Sequence, residues 1–357
     1  MKRGISLFLA AGLGIAVAIV IVFGDRIGGS GLTTVRGVIG SEKQAFFADP
    51  QVRKALERQG LKVDVDPAGS RQIATSVDLG RYDFAFPSSS PAADRIQKDR
   101  GITTKYAPFS SPMAIATFQP IVDVLAKAGV VAAGRGGVRT FDVRRYLDLV
   151  DKGTRWDQLA GNTAYPVRKN VLVSTTDPRS SNSAAMYLAI AAYAANGGEV
   201  VQGAEAEARV LPLLSRLFLD QGYTENTTEG PFEDYLSIGM GKTPLVCVYE
   251  AQFVHRAVRG DIKPGMVLTY PSPTVLSKHT LVPLNANGDK VGRLLTSDAG
   301  LQRLAARYGF RTAQPDQFAQ VAAEQQVPVA ADLIDVADPP SYETLERLLR
   351  AVEKNYG

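Results

Sequence analysis

The 357-residue chain has a single cysteine, Cys247, and two histidines, His255 and His279. One cysteine excludes an intrachain disulfide, and the apolar run LVCVY around it predicts a buried, inert thiol. With so few imidazoles and no cysteine cluster, the sequence has no nitrogen–sulfur ligand set of the kind zinc takes. Runs of Lys and Arg are also missing, as is any basic stripe with interleaved aromatics. The formal net charge is only +4, so a nucleic-acid partner is not expected. No nucleophile stands in a pattern with a base, which predicts a protein that is not an enzyme. His279, between Lys278 and Thr280 at a strand start, reads as a surface or hinge residue. No cofactor motif is complete. Gly241-Lys242-Thr243 imitates the end of a phosphate-binding loop, but Leu236 stands where that motif needs glycine, and the strand follows rather than precedes it.

One long apolar run is present, at the N-terminus. Lys2-Arg3 precede an uncharged stretch from Ile5 to Phe23, which as a helix spans about 28 Å, close to a bilayer core. The basic pair predicts a cytoplasmic N-terminus and a folded domain outside the cell membrane. The stretch is longer than an ordinary signal core and no small-x-small cleavage site follows it. Residues 1–30 therefore read as a single-pass signal anchor and tether, with a cleaved signal peptide as the alternative.

The length suggests two domains. From Thr34 onward the pattern repeats strand, hydroxyl-bearing loop, helix. TVRGVI runs into Ser41, LKVDV into Ser70 and Arg71, and YDFAF into Ser88, Ser89 and Ser90. Such alternation predicts parallel sheets with helices on both faces, and ligands in these sheets bind beyond the carboxyl ends of the strands. A strand is expected at Thr103–Ala107, with Ser110-Ser111-Pro112 behind it and Met113–Thr117 continuing as apolar backbone. One amphipathic helix is expected over Lys290–Arg307, and a docked tail helix over Ser341–Tyr356 with Leu345, Leu348, Leu349 and Val352 as its apolar face.

The stretch from Val171 to Gly198 carries the strongest signal. Val171–Val173 reads as a short strand. The segment from Ser174 to Ser183 is dense in hydroxyls and holds Arg179. Ala184–Ala195 has no charge and ends in Asn196-Gly197-Gly198, a buried helix with a glycine stop. Ser180 or Ser181 is placed to cap it, and Ser183 opens its first turn. A helix start with approachable N–H groups and flanking hydroxyls suits an anion; an ordinary capped core helix has the same look. Beyond a later strand, Tyr249 and Glu250 open another helix, where a carboxylate either caps the helix or receives a ligand cation.

Several segments together resemble the bacterial extracytoplasmic solute-binding proteins of the two-lobed, type II periplasmic-binding fold. The closest likeness is to the sulfate, molybdate, tungstate and phosphate binders. The carriers are GSEKQAFF, GRYDFAF running into SSS, TRWDQLAG, DPRSSNSAAMYLAIAAY, PLVCVYEAQF and GRLLTSDAGLQRLAARYGFR, in that order between residues 34 and 313. The resemblance implies an α/β fold with a mainly parallel, helix-flanked sheet in each lobe. One lobe would take residues 34–115 and 265–357, the other 116–264, with hinge crossings near Pro112–Thr117 and Tyr270–Pro273. It implies a small-molecule ligand, an oxyanion by this likeness, held in the cleft for an ABC-type uptake system with a membrane permease as partner. The candidate ligand-binding residues are Ser41, Ser70, Arg71, Ser88, Ser89, Ser90, Arg179, Ser180, Ser181, Ser183, Tyr249 and Glu250. A zwitterion held between Arg71 and Glu250 would use the same loops. The retained anchor and the long tail depart from the usual anion binders and favour an alternative, a ligand-sensing or interaction module acting on a membrane partner.

Overall fold

The computed structural model describes residues 31–178, 180–221, 227–331, 333 and 335–354. The expected membrane anchor and Arg179 lie outside the described residues. Among those described, no helix is long and apolar enough to cross a membrane.

Strand β1 (Thr33–Ile39) leads through a 3-10 turn at Ser41–Lys43 into α1 (Gln44–Ala48) and α2 (Pro50–Glu57). Asp49 caps α2 as its sequence predicts, its carboxylate accepting from the amides of Gln51 and Val52. Then follow β2 (Leu61–Pro67), α3 (Ser70–Thr75), β3 (Phe84–Phe86), α4 (Ser90–Arg100) and the long β4 (Tyr106–Phe118). Next come α5 (Gln119–Lys127), β5 (Val131–Ala133), β6 (Arg139–Asp142), α6 (Val143–Asp151), α7 (Asn182–Ala195), α8 (Gly203–Leu219), α9 (Glu229–Ser237), β7 (Leu245–Tyr249) and α10 (Glu250–Val258). The chain returns through β8 (Met266–Ser272) and β9 (Leu276–Pro283) and ends in α11 (Ala286–Ser297), α12 (Ala299–Arg307), α13 (Pro315–Glu324) and α14 (Tyr342–Glu353).

The strand order is β2-β1-β3-β9-β4-β8-β6-β5, with β7 also on β4. Two lobes result. On one side of β4 lie β9, β3, β1 and β2, and on the other β8, β6 and β5. Around β1 the sheet is mainly parallel, as the sequence predicts; around β4 it is mixed, which corrects the expectation there. The β1–β2, β1–β3 and β6–β8 ladders are parallel, whereas β9 runs antiparallel to β3 and β4, β7 and β8 run antiparallel to β4, and β5 to β6. The cause is β4, which runs on through Ser110–Pro112. It pairs with β9 through Pro112 and with β7 and β8 from Met113 onward. One strand thus serves both lobes, and the strands that return beside it run against it.

Three other expectations shift. Val171–Val173 forms no ladder. The Val171 amide donates to Thr154 O and the Val173 amide to the Tyr146 hydroxyl, leaving a single parallel bridge between Ser174 and Val246. The helix expected over Lys290–Arg307 is two helices, because Asp298 takes an extended backbone and caps α12 by accepting from the Leu301 amide. His279 is fully buried, not a surface residue.

Helix α7 is buried all round except at Tyr193 and Ala195, as its uncharged sequence requires. It packs on α6, α8, β4 and β7, and its N-terminus is thereby aimed at the junction of the lobes.

Candidate functional site

Loops from both lobes converge where the carboxyl ends of β1, β2, β3 and β7 meet the start of α7. Gly40, Ser41, Glu42, Ala68, Gly69, Ser70 and Ser88 approach from one lobe. Ser181, Asn182, Ser183, Thr227, Thr228 and Tyr249 approach from the other. The space they enclose is about 20 Å³, little more than one water needs. The lobes touch here. A Cβ at Gly69 would lie 2.3 Å from the Ser180 carbonyl oxygen, so only glycine permits this approach. Asn182 reaches across, its Nδ2 donating to Ser88 O at 3.3 Å and to the Tyr249 hydroxyl at 2.8 Å.

Of the residues singled out in the sequence, Ser41, Ser70, Ser88, Ser181, Ser183 and Tyr249 lie together on this cavity. Ser181 is the N-cap of α7 but makes no side-chain cap bond; its hydroxyl pairs with that of Ser183 at 2.9 Å. Ser183 in turn meets Thr176 at 2.8 Å. The first-turn amides of α7 therefore keep their donors uncapped by side chains. Ser70 accepts from the Ser88 amide at 2.8 Å.

The others are placed differently. Ser89 caps α4, accepting from the Ala92 amide at 3.4 Å. Ser90 faces Thr280, 3.4 Å away. Ser180 offers its backbone at the lobe contact with Gly69. Arg71 and Glu250, the pair that would grip a zwitterion, are each engaged elsewhere. Arg71 forks onto Glu346 of α14 at 2.6 and 2.9 Å, binds Glu353, and donates to Pro178 O at 2.9 Å. Glu250 is fully buried in a two-pronged pair with Arg311, at 2.7 and 2.8 Å, and accepts from the Tyr270 hydroxyl at 2.5 Å. These are well-formed bidentate pairs, and neither residue lines the cavity.

The most highly charged feature of the cleft was not singled out in the sequence. Glu42 puts its carboxylate against the cavity with its side chain only 4% exposed. Its Oε1 accepts from Lys43 Nζ at 2.5 Å and from the Ser88 hydroxyl at 2.5 Å, and lies 3.2 Å from His279 Nδ1. Lys43 also meets Ser88 Oγ at 2.9 Å and His279 Nδ1 at 3.2 Å. Burial by itself would raise the Glu42 carboxyl, but the Lys43 ammonium and the His279 hydrogen bond outweigh it and hold the group well below the usual carboxylate range. Burial pushes the Lys43 ammonium down from its ordinary value, with Glu42 opposing. Burial, and then the nearby Lys43 charge, push His279 down to about 4. At neutral pH, His279 is an uncharged ring whose Nε2 has no partner. A Cβ on Gly40 would meet both Glu42 oxygens and Ser88 Oγ, so glycine is what lets the carboxylate fold back into the cleft. By local pattern Glu42 is only an acid in the first turn of a short helix. Its setting is completed only by β9, which brings His279 to Glu42 and Lys43 from a distant part of the chain.

Among the described residues no cluster of His, Cys, Asp or Glu has a metal-site arrangement. Cys247 is free and buried, its thiol pushed up to about 12 by burial.

The fold is shared with several solved structures of binding proteins. Iron-bound HitA from Pseudomonas aeruginosa matches 91% of this chain and 99% of its own, with a TM-score of 0.57 and 12% identity. A periplasmic thiamin-binding protein matches 91% and 97%, with a TM-score of 0.56 and 10% identity. Apo ferric ion-binding protein A from Pasteurella haemolytica matches 90% and 97%, with a TM-score of 0.55 and 13% identity. At such identities the likeness is one of fold. No protein-family model and no curated protein matches the sequence.

Proposed function

We propose that this chain is an extracytoplasmic solute-binding protein, tethered to the cell membrane by residues 1–30, that closes its two lobes on a small solute. An acidic group of that solute lies at the start of α7, where the uncapped amides and the hydroxyls of Ser181 and Ser183 meet it. The observation that carries this reading is the convergence, from both lobes, of Ser41, Ser70, Ser88, Ser181, Ser183 and Tyr249 on one cavity. Closure around a ligand would then be part of the affinity, and the loaded form is what a membrane permease of an ABC-type system recognises. The reading involves no catalytic step.

The test is thermal unfolding of the purified protein against sulfate, phosphate, molybdate, tungstate, amino acids and simple sugars. A solute at a hundred times its dissociation constant adds about 2.7 kcal/mol and raises the midpoint by several degrees. Loss of that shift in Ser181→Ala or Ser183→Ala places the solute at α7. No shift with any class sinks the reading.

One observation favours a second reading, a sensor or interaction module. Helix α14 touches both lobes, pairing with Arg71 and Lys98 on one side and with Glu207 of α8 on the other. If Leu345→Asp with Leu349→Asp abolishes capture of a membrane partner while solute binding survives, this second reading replaces transport.

A further inference from the structure

We propose that Glu42 selects the ligand, and that the ligand presents a protonated amine to it, so the cleft takes small zwitterions and turns away fully deprotonated oxyanions. The inference rests on the solute-binding reading above and names its ligand class.

Glu42 is the one charged side chain among the described residues lining the cavity. Its Oε1 is saturated by Lys43, Ser88 and His279, while its Oε2 receives no hydrogen bond from any described residue. Lys43 is fully buried behind the carboxylate and does not line the cavity, so it cannot offer its charge to a ligand. A carboxylate oxygen without a described partner thus belongs to a residue that lines the cavity.

An ionised carboxylate is an acceptor only. Sulfate, molybdate and tungstate at neutral pH bring no proton, and closing the lobes on them would set acceptor against acceptor at the Glu42 oxygen. That repulsion is a specificity device. An ammonium group gives the free oxygen a charge-assisted hydrogen bond, roughly twice as strong as one from a neutral hydroxyl. The cleft is thus bipolar, with the Glu42 oxygen at one side and the amides of the 14-residue α7 at the other. An amino acid carries both complements.

Isothermal calorimetry and thermal unfolding of the purified protein test this with individual amino acids, short ω-amino acids, sulfate, molybdate and glucose. An amino compound is expected to bind, and sulfate and molybdate to give no heat at the same concentration. Glu42→Gln should weaken the amino compound at least tenfold. Because that variant leaves Lys43 buried and unpaired, Glu42→Gln with Lys43→Met supplies a neutral cluster that keeps the fold and should show the same loss. Binding of sulfate or molybdate, or of glucose alone, overturns the inference and leaves the solute-binding reading standing. So does unchanged affinity for the amino compound in the folded double variant. Failure of every class to bind overturns both.

Discussion

At the scale of single residues, the chain places charge where water cannot reach it. Glu42, Lys43 and His279 form one buried cluster, and Glu250 with Arg311 forms another. Breaking such a pair costs about 3–5 kcal/mol, because the partner is left charged and unsolvated. Arg311→Met is therefore expected to lower stability by that order in urea unfolding, whereas Arg347→Ala, at an exposed pair with Glu207, should cost under about 1 kcal/mol. His279 also sets a pH dependence. Its pKa falls from 6.5 to about 4 on folding, so the unfolded chain binds the proton first. Its contribution is present above about pH 6.5 and is lost as pH falls toward 4, amounting to about 3 kcal/mol. His255, pushed down to about 4 chiefly by burial, acts in the same window. Melting temperature should therefore drop between pH 6.5 and 4, with a shallower drop in His279→Gln. A flat profile in the parent would show that the imidazole is not buried neutral.

At the scale of elements, α7 and α14 do the organising. Helix α7 can be uncharged because α6, α8, β4 and β7 enclose it, and its terminus is aimed at the cleft as a consequence. Helix α14 buries Leu345, Leu348, Leu349 and Val352 at 5% exposure or less against α8, α7 and α4. Around that face it adds ion pairs to Arg71, Lys98 and Glu207. Leu348→Ala is expected to cost about 2–5 kcal/mol. If the variant unfolds at the parent's urea midpoint, the helix is not part of the cooperative unit.

At the scale of the whole molecule, the two lobes meet through Gly69 and Ser180, Ser88 and Asn182, and the strap of α14. A methyl group on Gly69 has no room against the Ser180 carbonyl, while the Gly69 backbone itself is in an ordinary extended conformation. Gly69→Ala should thus leave each lobe folded, prop the cleft open and weaken any solute that depends on closure. Small-angle scattering would read this as a larger radius of gyration than the parent's, and identical curves would refute it.

The sequence by itself determined what local chemistry decides. It set the α/β alternation, the Asp49 cap, the glycine stop and burial of α7, the apolar face of α14, and the hydroxyl-bearing loops at strand ends. These follow from period, propensity and capping, which act within a few residues. Only the tertiary structure decided the rest. It ran β4 through Ser110–Pro112 and so mixed the sheet around it, gave Arg71 to Glu346 and Glu353, gave Glu250 to Arg311, and put Glu42 rather than either of them into the cleft. Each of those outcomes depends on partners tens to hundreds of residues apart. A charged side chain's role is set by what desolvates and pairs it, and no local pattern carries that information.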